Sequence, residues 1–174
     1  MTRTSILFTP LLLSISFLIG CGGPSRPADL PRLYPVSLTV IQEGEPLAGA
    51  TVQLFPEDPA LAQWSPMGIT DASGTVALKT NAIYNGAPLG SYKITVSKIE
   101  LEPHPNPEWG LDDNHPNYMR YLQIERNLKL YSYVESLYGS IENTPLRVEV
   151  MPRQKNYTVD AGEKIRVVIP RIII

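Results

Sequence analysis

The sequence has few of the residues that several protein classes require. Its 174 residues include one cysteine and two histidines, too few for an internal disulfide or a Cys/His structural zinc site. Its 15 Lys and Arg stand against 17 Asp and Glu, without the basic excess of nucleic-acid-binding domains. Gly-x-Ser-x-Gly, phosphate-loop and His-Glu-x-x-His motifs are all missing. We therefore expect a protein that is not an enzyme, binds no nucleic acid and carries no cofactor or metal.

What is present begins with an apolar run near the N-terminus. Arg3 precedes the mostly apolar, uncharged stretch 6–18. A helix of this length would extend only ~20 Å, at ~1.5 Å per residue, which is short of the ~30 Å hydrocarbon core of a bilayer. A positive start followed by a short apolar segment is typical of a secretory signal. The sequence thus predicts export, with residues 1–20 as the signal peptide.

The apolar run ends in Leu18-Ile19-Gly20-Cys21, which resembles the lipobox of bacterial lipoproteins. The resemblance implies cleavage before Cys21 and acylation of that residue. Several acyl chains hold a protein on a bilayer more firmly than one chain does. Gly22 stands where lipoprotein sorting usually reads an Asp as an inner-membrane retention signal, so the resemblance favours the outer membrane. The alternative is an ordinary secreted protein with a chance cysteine near its cleavage site.

Residues 21–35 are predicted to form a tether. Four prolines lie between Gly22 and Pro35, and no apolar period interrupts them. Such segments favour extended, semi-rigid geometry. The tether would hold a domain, residues 36–174, away from the membrane.

Apolar and polar side chains alternate beyond the tether. The alternation is clearest in five proline-free runs, and two further candidates follow: 36–40, 50–54, 76–78, 92–96 and 146–150, then 157–159 and 165–169. A period of two indicates half-buried strands. Turn residues separate the runs, and Asp71–Gly74 predicts a hairpin between 68–70 and 75–80. About seven short strands predict an all-β fold, an antiparallel β-sandwich.

Three segments carry a family resemblance. They read GEPLAGATV from Gly44, TDASGTV from Thr70 and GAPLGSYKITV from Gly86. In this order they resemble the carboxypeptidase regulatory-like domain, a transthyretin-like Greek-key sandwich. The resemblance covers residues 34–98 well and 136–160 moderately. It implies a fold and no chemistry, because the matched residues are those of turns and core.

The stretch 99–139 departs from that pattern and is predicted to be an insertion. It is longer than a sandwich loop needs to be, and long loops tend to be functional. Apolar residues recur in it at intervals of three or four: Tyr121, Ile124, Leu128, Tyr131, Val134 and Tyr138. This spacing favours a helix, although 128–134 is also acceptable as a strand.

Two tryptophans in loop-like contexts are the candidate contact residues. Trp64 and Trp109 lie near Pro66 and Pro107, and exposed aromatic side chains can stack on sugar rings or anchor a protein partner. The alternative is that each covers an end of the sandwich. His104, Asp112, Asp113 and His115 are residue types that bind metals, but they follow no ligand spacing. We interpret them as a solvated loop.

These patterns together predict a non-catalytic, lipid-anchored cell-envelope protein. The acyl groups at Cys21 would fix it to a membrane, and the sandwich would present the insertion in the periplasm or at the cell surface. The partner would be an envelope protein or polysaccharide. The alternative function is a carbohydrate-binding accessory module that uses Trp64 or Trp109.

Overall fold

The computed structural model describes residues 26–171. The predicted signal peptide, Cys21, the first part of the tether and residues 172–174 lie outside the described residues. The boundary between the two units of the chain lies between Leu30 and Pro31. In the described part of the first unit, the Leu30 N–H donates to the Pro27 carbonyl at 3.2 Å. Between residues 26 and 171, no helix is long and apolar enough to cross a membrane.

Short strands dominate the second unit. The thirteen strands in the described range are β1 (Ser37–Gln42), β2 (Glu45–Pro46), β3 (Thr51–Pro56), β4 (Pro66–Ile69), β5 (Thr75–Ala77), β6 (Lys79–Thr80), β7 (Tyr84–Asn85), β8 (Gly90–Ser97), β9 (Ile99–Leu101), β10 (Leu130–Ser132), β11 (Arg147–Val150), β12 (Asn156–Asp160) and β13 (Val167–Ile169). The helices are α1 (Tyr118–Asn127) and α2 (Ser136–Gly139), with single 3₁₀ turns at Pro59–Leu61 and Pro107–Gly110. The predicted all-β fold is confirmed. The strands outnumber the seven expected because several have only two to four residues.

One layer of the fold is built around β1. The parallel partner β12 lies on one side of β1, from the pair Ser37 and Asn156 to the pair Ile41 and Asp160. The antiparallel strands β2 and β5 share the other side. The turn between β1 and β2 has positive φ at both Glu43 and Gly44, as tight hairpin turns of type I′ require.

The second layer is an antiparallel sheet of six strands. Its order is β11-β8-β3-β4-β6-β7. The longest pairing joins β3 to β8, from Thr51 opposite Ser97 to Pro56 opposite Tyr92. In both strands, alternate side chains are buried, which is the pattern of a sheet with one face on a core.

The core lies between these two layers. Its buried residues come from both: Val36, Leu38, Val40, Leu47, Ala50, Val52, Leu54, Val76, Leu78, Ala87, Tyr92, Ile94, Val96, Val134, Val148, Val150, Val159 and Ala161. Burial of each large apolar side chain stabilises the fold by about 1.5–3 kcal/mol. The Tyr92 hydroxyl donates to the Pro88 carbonyl at 2.8 Å, and burial raises the pKa of that phenol. The molecule is therefore a β-sandwich.

The predicted hairpin around Asp71–Gly74 is wrong in its second arm. The turn itself forms, and the Asp71 carboxylate accepts the backbone N–H groups of Ser73 and Thr75 at 2.8 and 3.0 Å. However, β5 pairs with β1 in the first layer, and only β6 returns to β4 in the second. The chain changes layer at Leu78, whose N–H donates to the Val36 carbonyl at 3.0 Å.

The insertion contains both a helix and a strand, the two structures that its sequence allows. The predicted helix is confirmed for Tyr118–Asn127, and the following Leu130–Ser132 is the strand β10. A small antiparallel sheet of order β13-β10-β9 joins the insertion to the C-terminal part of the chain. The spacing of three or four persists beyond Asn127, but Tyr131 lies on a strand, opposite Val168 and Glu100.

Candidate functional site

The insertion packs a proline-rich loop, 102–117, against α1. Gly110 lies so close to the Tyr121 ring that a Cβ placed there would be 2.5 Å from the ring carbon Cζ. A glycine is therefore needed for the approach of the 3₁₀ turn Pro107–Gly110 to the helix. The loop is thus held on α1 by direct packing.

His104 makes a second connection between the loop and α1. Its Nδ1 accepts the Asn106 backbone N–H at 2.9 Å, and its Nε2 lies 3.3 Å from the Tyr121 carbonyl. An accepting Nδ1 assigns the neutral tautomer that is protonated on Nε2, which donates to Tyr121. The His104 and Tyr121 ring centroids are 4.2 Å apart. Both ring nitrogens are therefore used in holding the loop.

Further aromatic rings extend this contact into a surface. The Trp109 and His115 ring centroids are 6.3 Å apart with an interplanar angle of 18°, and the Tyr118 and Tyr121 rings are also nearly parallel, at 10°. The Arg120 Cζ atom lies 5.8 Å from the Trp109 centroid. We call the half-buried set His104, Trp109, His115, Tyr118 and Tyr121 the aromatic cluster.

Exposed apolar and acidic side chains flank the aromatic cluster in sequence. Leu111 is 86% exposed and Met119 is 69% exposed, although single apolar side chains are common on protein surfaces. Asp112 is also exposed. Hydrogen bonds from the Asn114 backbone N–H and then from its side-chain amide lower the pKa of the Asp112 carboxyl. An exposed Asp is an anion at neutral pH in any case, and these turn contacts extend its charged range to lower pH.

The histidines and aspartates of the loop do not converge. Within residues 26–171, no group of three His, Cys, Asp or Glu side chains could hold a metal ion. His115 Nδ1 accepts the Asn117 backbone N–H at 3.1 Å, so this nitrogen supports a turn in the same way as that of His104.

The two candidate tryptophans have different surroundings. Trp64 is only 6% exposed, and its backbone N–H donates to the Leu61 carbonyl at 2.8 Å. The sequence left open whether Trp64 is an exposed contact residue or covers an end of the sandwich, and its burial favours the second alternative. Trp109 is half-buried and keeps part of its ring at the surface. Of the two, only Trp109 can offer a ring to a ligand in this conformation.

The structure also reveals a buried amide that sequence reasoning missed. Gln42 is 3% exposed, and its Nε2 lies 3.1, 3.4 and 3.1 Å from the carbonyls of Tyr133, Ala161 and Glu163. It thereby links β1 both to the insertion and to the segment after β12. A signal for it exists, because Gln42 continues the inward positions of Leu38 and Val40.

Comparison with known proteins finds no relative of this chain. No family model matches the chain. No curated protein and no solved structure is significantly similar to it. The resemblances at 18–21 and 34–98 therefore rest on their own motifs.

Proposed function

We propose that the chain is a non-catalytic, lipid-anchored cell-envelope protein. Its sandwich would present the aromatic cluster to an envelope partner. The observation that supports this best is the arrangement of the insertion, in which half-buried rings are held on a rigid frame. Binding residues are often found on loops that a rigid scaffold positions.

The proposed anchor is Cys21. The lipobox-like tetrapeptide ends at this residue, the only cysteine of the chain, and an apolar run of signal-peptide length precedes it. The outer membrane is the favoured site because Gly22 follows the cysteine. Anchoring would raise the effective concentration of the domain near its neighbours, so that a modest contact surface suffices.

Cys21→Ser should remove the lipid and the membrane attachment that depends on it. We expect wild-type protein to incorporate a fatty-acid probe and the variant to incorporate none, while its membrane-bound share falls. Metabolic labelling followed by membrane fractionation measures both. Gly22→Asp is the matched control, since it keeps the cysteine and should keep the label while moving the protein towards the inner membrane. A labelled Cys21→Ser protein would refute acylation at this residue.

A carbohydrate-binding accessory module is the second candidate function. It is favoured by the part-exposed ring of Trp109, since aromatic faces are suited to stacking on apolar faces of sugars. His115 and Arg120 already lie beside this ring, which reduces the face left for a sugar. We therefore place the protein partner first.

Trp109→Ala separates the two candidates. Buried aromatic anchors of interfaces contribute about 2 kcal/mol or more, so the variant should lose at least about tenfold in partner capture. In-cell cross-linking with mass spectrometry measures protein neighbours, and a pull-down on peptidoglycan and polysaccharides measures sugar binding. Trp109→Tyr is the control, because it keeps an aromatic ring. Sugar retention that disappears only in Trp109→Ala would favour the second candidate, and unchanged cross-links without sugar retention would contradict both.

A further inference from the structure

The small sheet β13-β10-β9 has two open edges. Among residues 26–171, no further strand pairs with the outer side of β9 or of β13. Four of the ten exposed large hydrophobic side chains of this range lie on these two strands: Ile99 at 55%, Leu101 at 38%, Val167 at 49% and Val168 at 57%. Apolar edge strands with unpaired backbone groups are templates for pairing with another chain.

The two edges carry opposite charge. Arg166 and Arg171 flank β13, and no acidic residue lies between them. Glu100 and Glu102 belong to β9 or follow it directly. Lys98 offsets part of the acidic charge, because its Nζ lies 3.2 Å from a Glu100 carboxylate oxygen. The β13 edge remains net positive and the β9 edge net negative.

The geometry of the sheet places Glu100 and Arg166 on one face. Both β9 and β13 run antiparallel to β10, so they run parallel to each other. Glu100 and Val168 are both opposite Tyr131, and Arg166 shares their face because side chains on a strand alternate. The Arg166 Cζ atom lies 4.0 Å from the Tyr131 ring centroid, which agrees with this placement.

We propose that copies of this chain associate edge to edge, with β13 of one copy beside β9 of the next. If a second copy lies beside the first in the plane of the sheet and in the same orientation, its β9 pairs in parallel with β13 of the first copy. Glu100 of the next copy would then lie within reach of Arg166, and Ile99 and Leu101 of that copy would extend the apolar face of Val167 and Ile169. Such a contact joins two different surfaces, so it produces chains of copies or closed rings rather than symmetric dimers. The proposal does not require the lipid anchor.

Charge reversal at the two edges tests this arrangement. The full chain, kept in a density-matched detergent, is followed by sedimentation velocity up to about 1 mM, the limit of weak association. The wild type should form species larger than dimers in a concentration-dependent manner. Arg166→Glu or Glu100→Lys should each weaken association at least about tenfold, because like charges then face each other. Arg153→Glu and Glu149→Lys reverse exposed charges elsewhere and should associate as the wild type does.

Combining the variants distinguishes this contact from other modes of association. An equimolar mixture of Arg166→Glu and Glu100→Lys should again form species larger than dimers, in which the two variants alternate, since both the native Arg166–Glu100 pair and the pair of reversed charges are complementary. The double variant, with both charges exchanged, should again form larger species, which also shows that the substitutions preserve the fold. A wild type that stays monomeric at about 1 mM would overturn the proposal. So would single variants that associate like the wild type, or a mixture that associates no more strongly than either variant alone.

Discussion

Gly86→Ala should lower the free energy of unfolding by about 3 kcal/mol. Gly86 has φ +97°, and a Cβ there would lie 2.2 Å from the Tyr34 carbonyl oxygen. A left-handed conformation costs an L residue roughly 1–2 kcal/mol. The clash would also separate Tyr34 from Ala87, whose two backbone hydrogen bonds of 2.8 and 2.9 Å contribute about 1 kcal/mol each. Urea denaturation followed by circular dichroism measures the change.

Gly44→Ala is the matched control for Gly86→Ala. Gly44 also has positive φ, at +80°, but nothing lies within 4 Å of a Cβ placed there. Gly44→Ala should therefore lower the free energy of unfolding only by the conformational cost of roughly 1–2 kcal/mol. If both variants lose the same free energy of unfolding, the close contact with Tyr34 is not what makes glycine necessary at position 86.

Gln42→Leu should destabilise the protein by about 2–4 kcal/mol and loosen the insertion. The substitution removes the hydrogen bonds to the Tyr133, Ala161 and Glu163 carbonyls. A buried acceptor left without a partner costs about 1–3 kcal/mol, but Tyr133 is half-buried and Glu163 exposed, so water can replace part of the loss there. The free energy of unfolding from urea titration measures the first effect.

Hydrogen exchange measures the second effect of Gln42→Leu. Amides around Tyr133 and Glu163 should exchange faster than in the wild type, while those of the β3–β8 pairing keep their relative protection. Gln53→Leu is the control, because Gln53 is half-buried on β3 and a surface change of this kind usually stays within about 0.5 kcal/mol. Uniformly faster exchange in Gln42→Leu would contradict a local role for the amide.

Much of the sandwich could be predicted from the sequence, because each longer strand shows its buried face in the alternation of its own residues. Alternation at 36–40, 50–54, 92–96 and 146–150 gave the four strands β1, β3, β8 and β11, since each buries one face. The positive φ of Gly44 agrees with the turn residues that separate the first two strands. The division of 75–80 between two layers was not predictable, because it depends on which sheet edge is free when the chain passes Leu78. The order of connections expected of a Greek key stays a prediction.

The insertion was less predictable because tertiary contacts decide its structure. Tyr121 and Tyr131 share one spacing in the sequence, yet the first lies on α1 and the second is paired between β9 and β13. The close packing of Gly110 on Tyr121 has no local signature. The neighbours of Trp64 fit both an exposed contact residue and a cover over an end of the sandwich, so its burial could not be decided from the sequence. Gln42 was overlooked because a polar residue at an inward position breaks the pattern used to find the core.

The parallel pairing of β1 with β12 constrains the order in which the sheets of the protein can form. The partner of Ser37 is Asn156, so one side of β1 stays unpaired until almost the whole domain has left the ribosome. Closing so long a loop has a larger entropic cost than the shorter closures that precede it. The late strand β12 therefore completes the first sheet, and a chain truncated before β12 leaves that sheet unfinished.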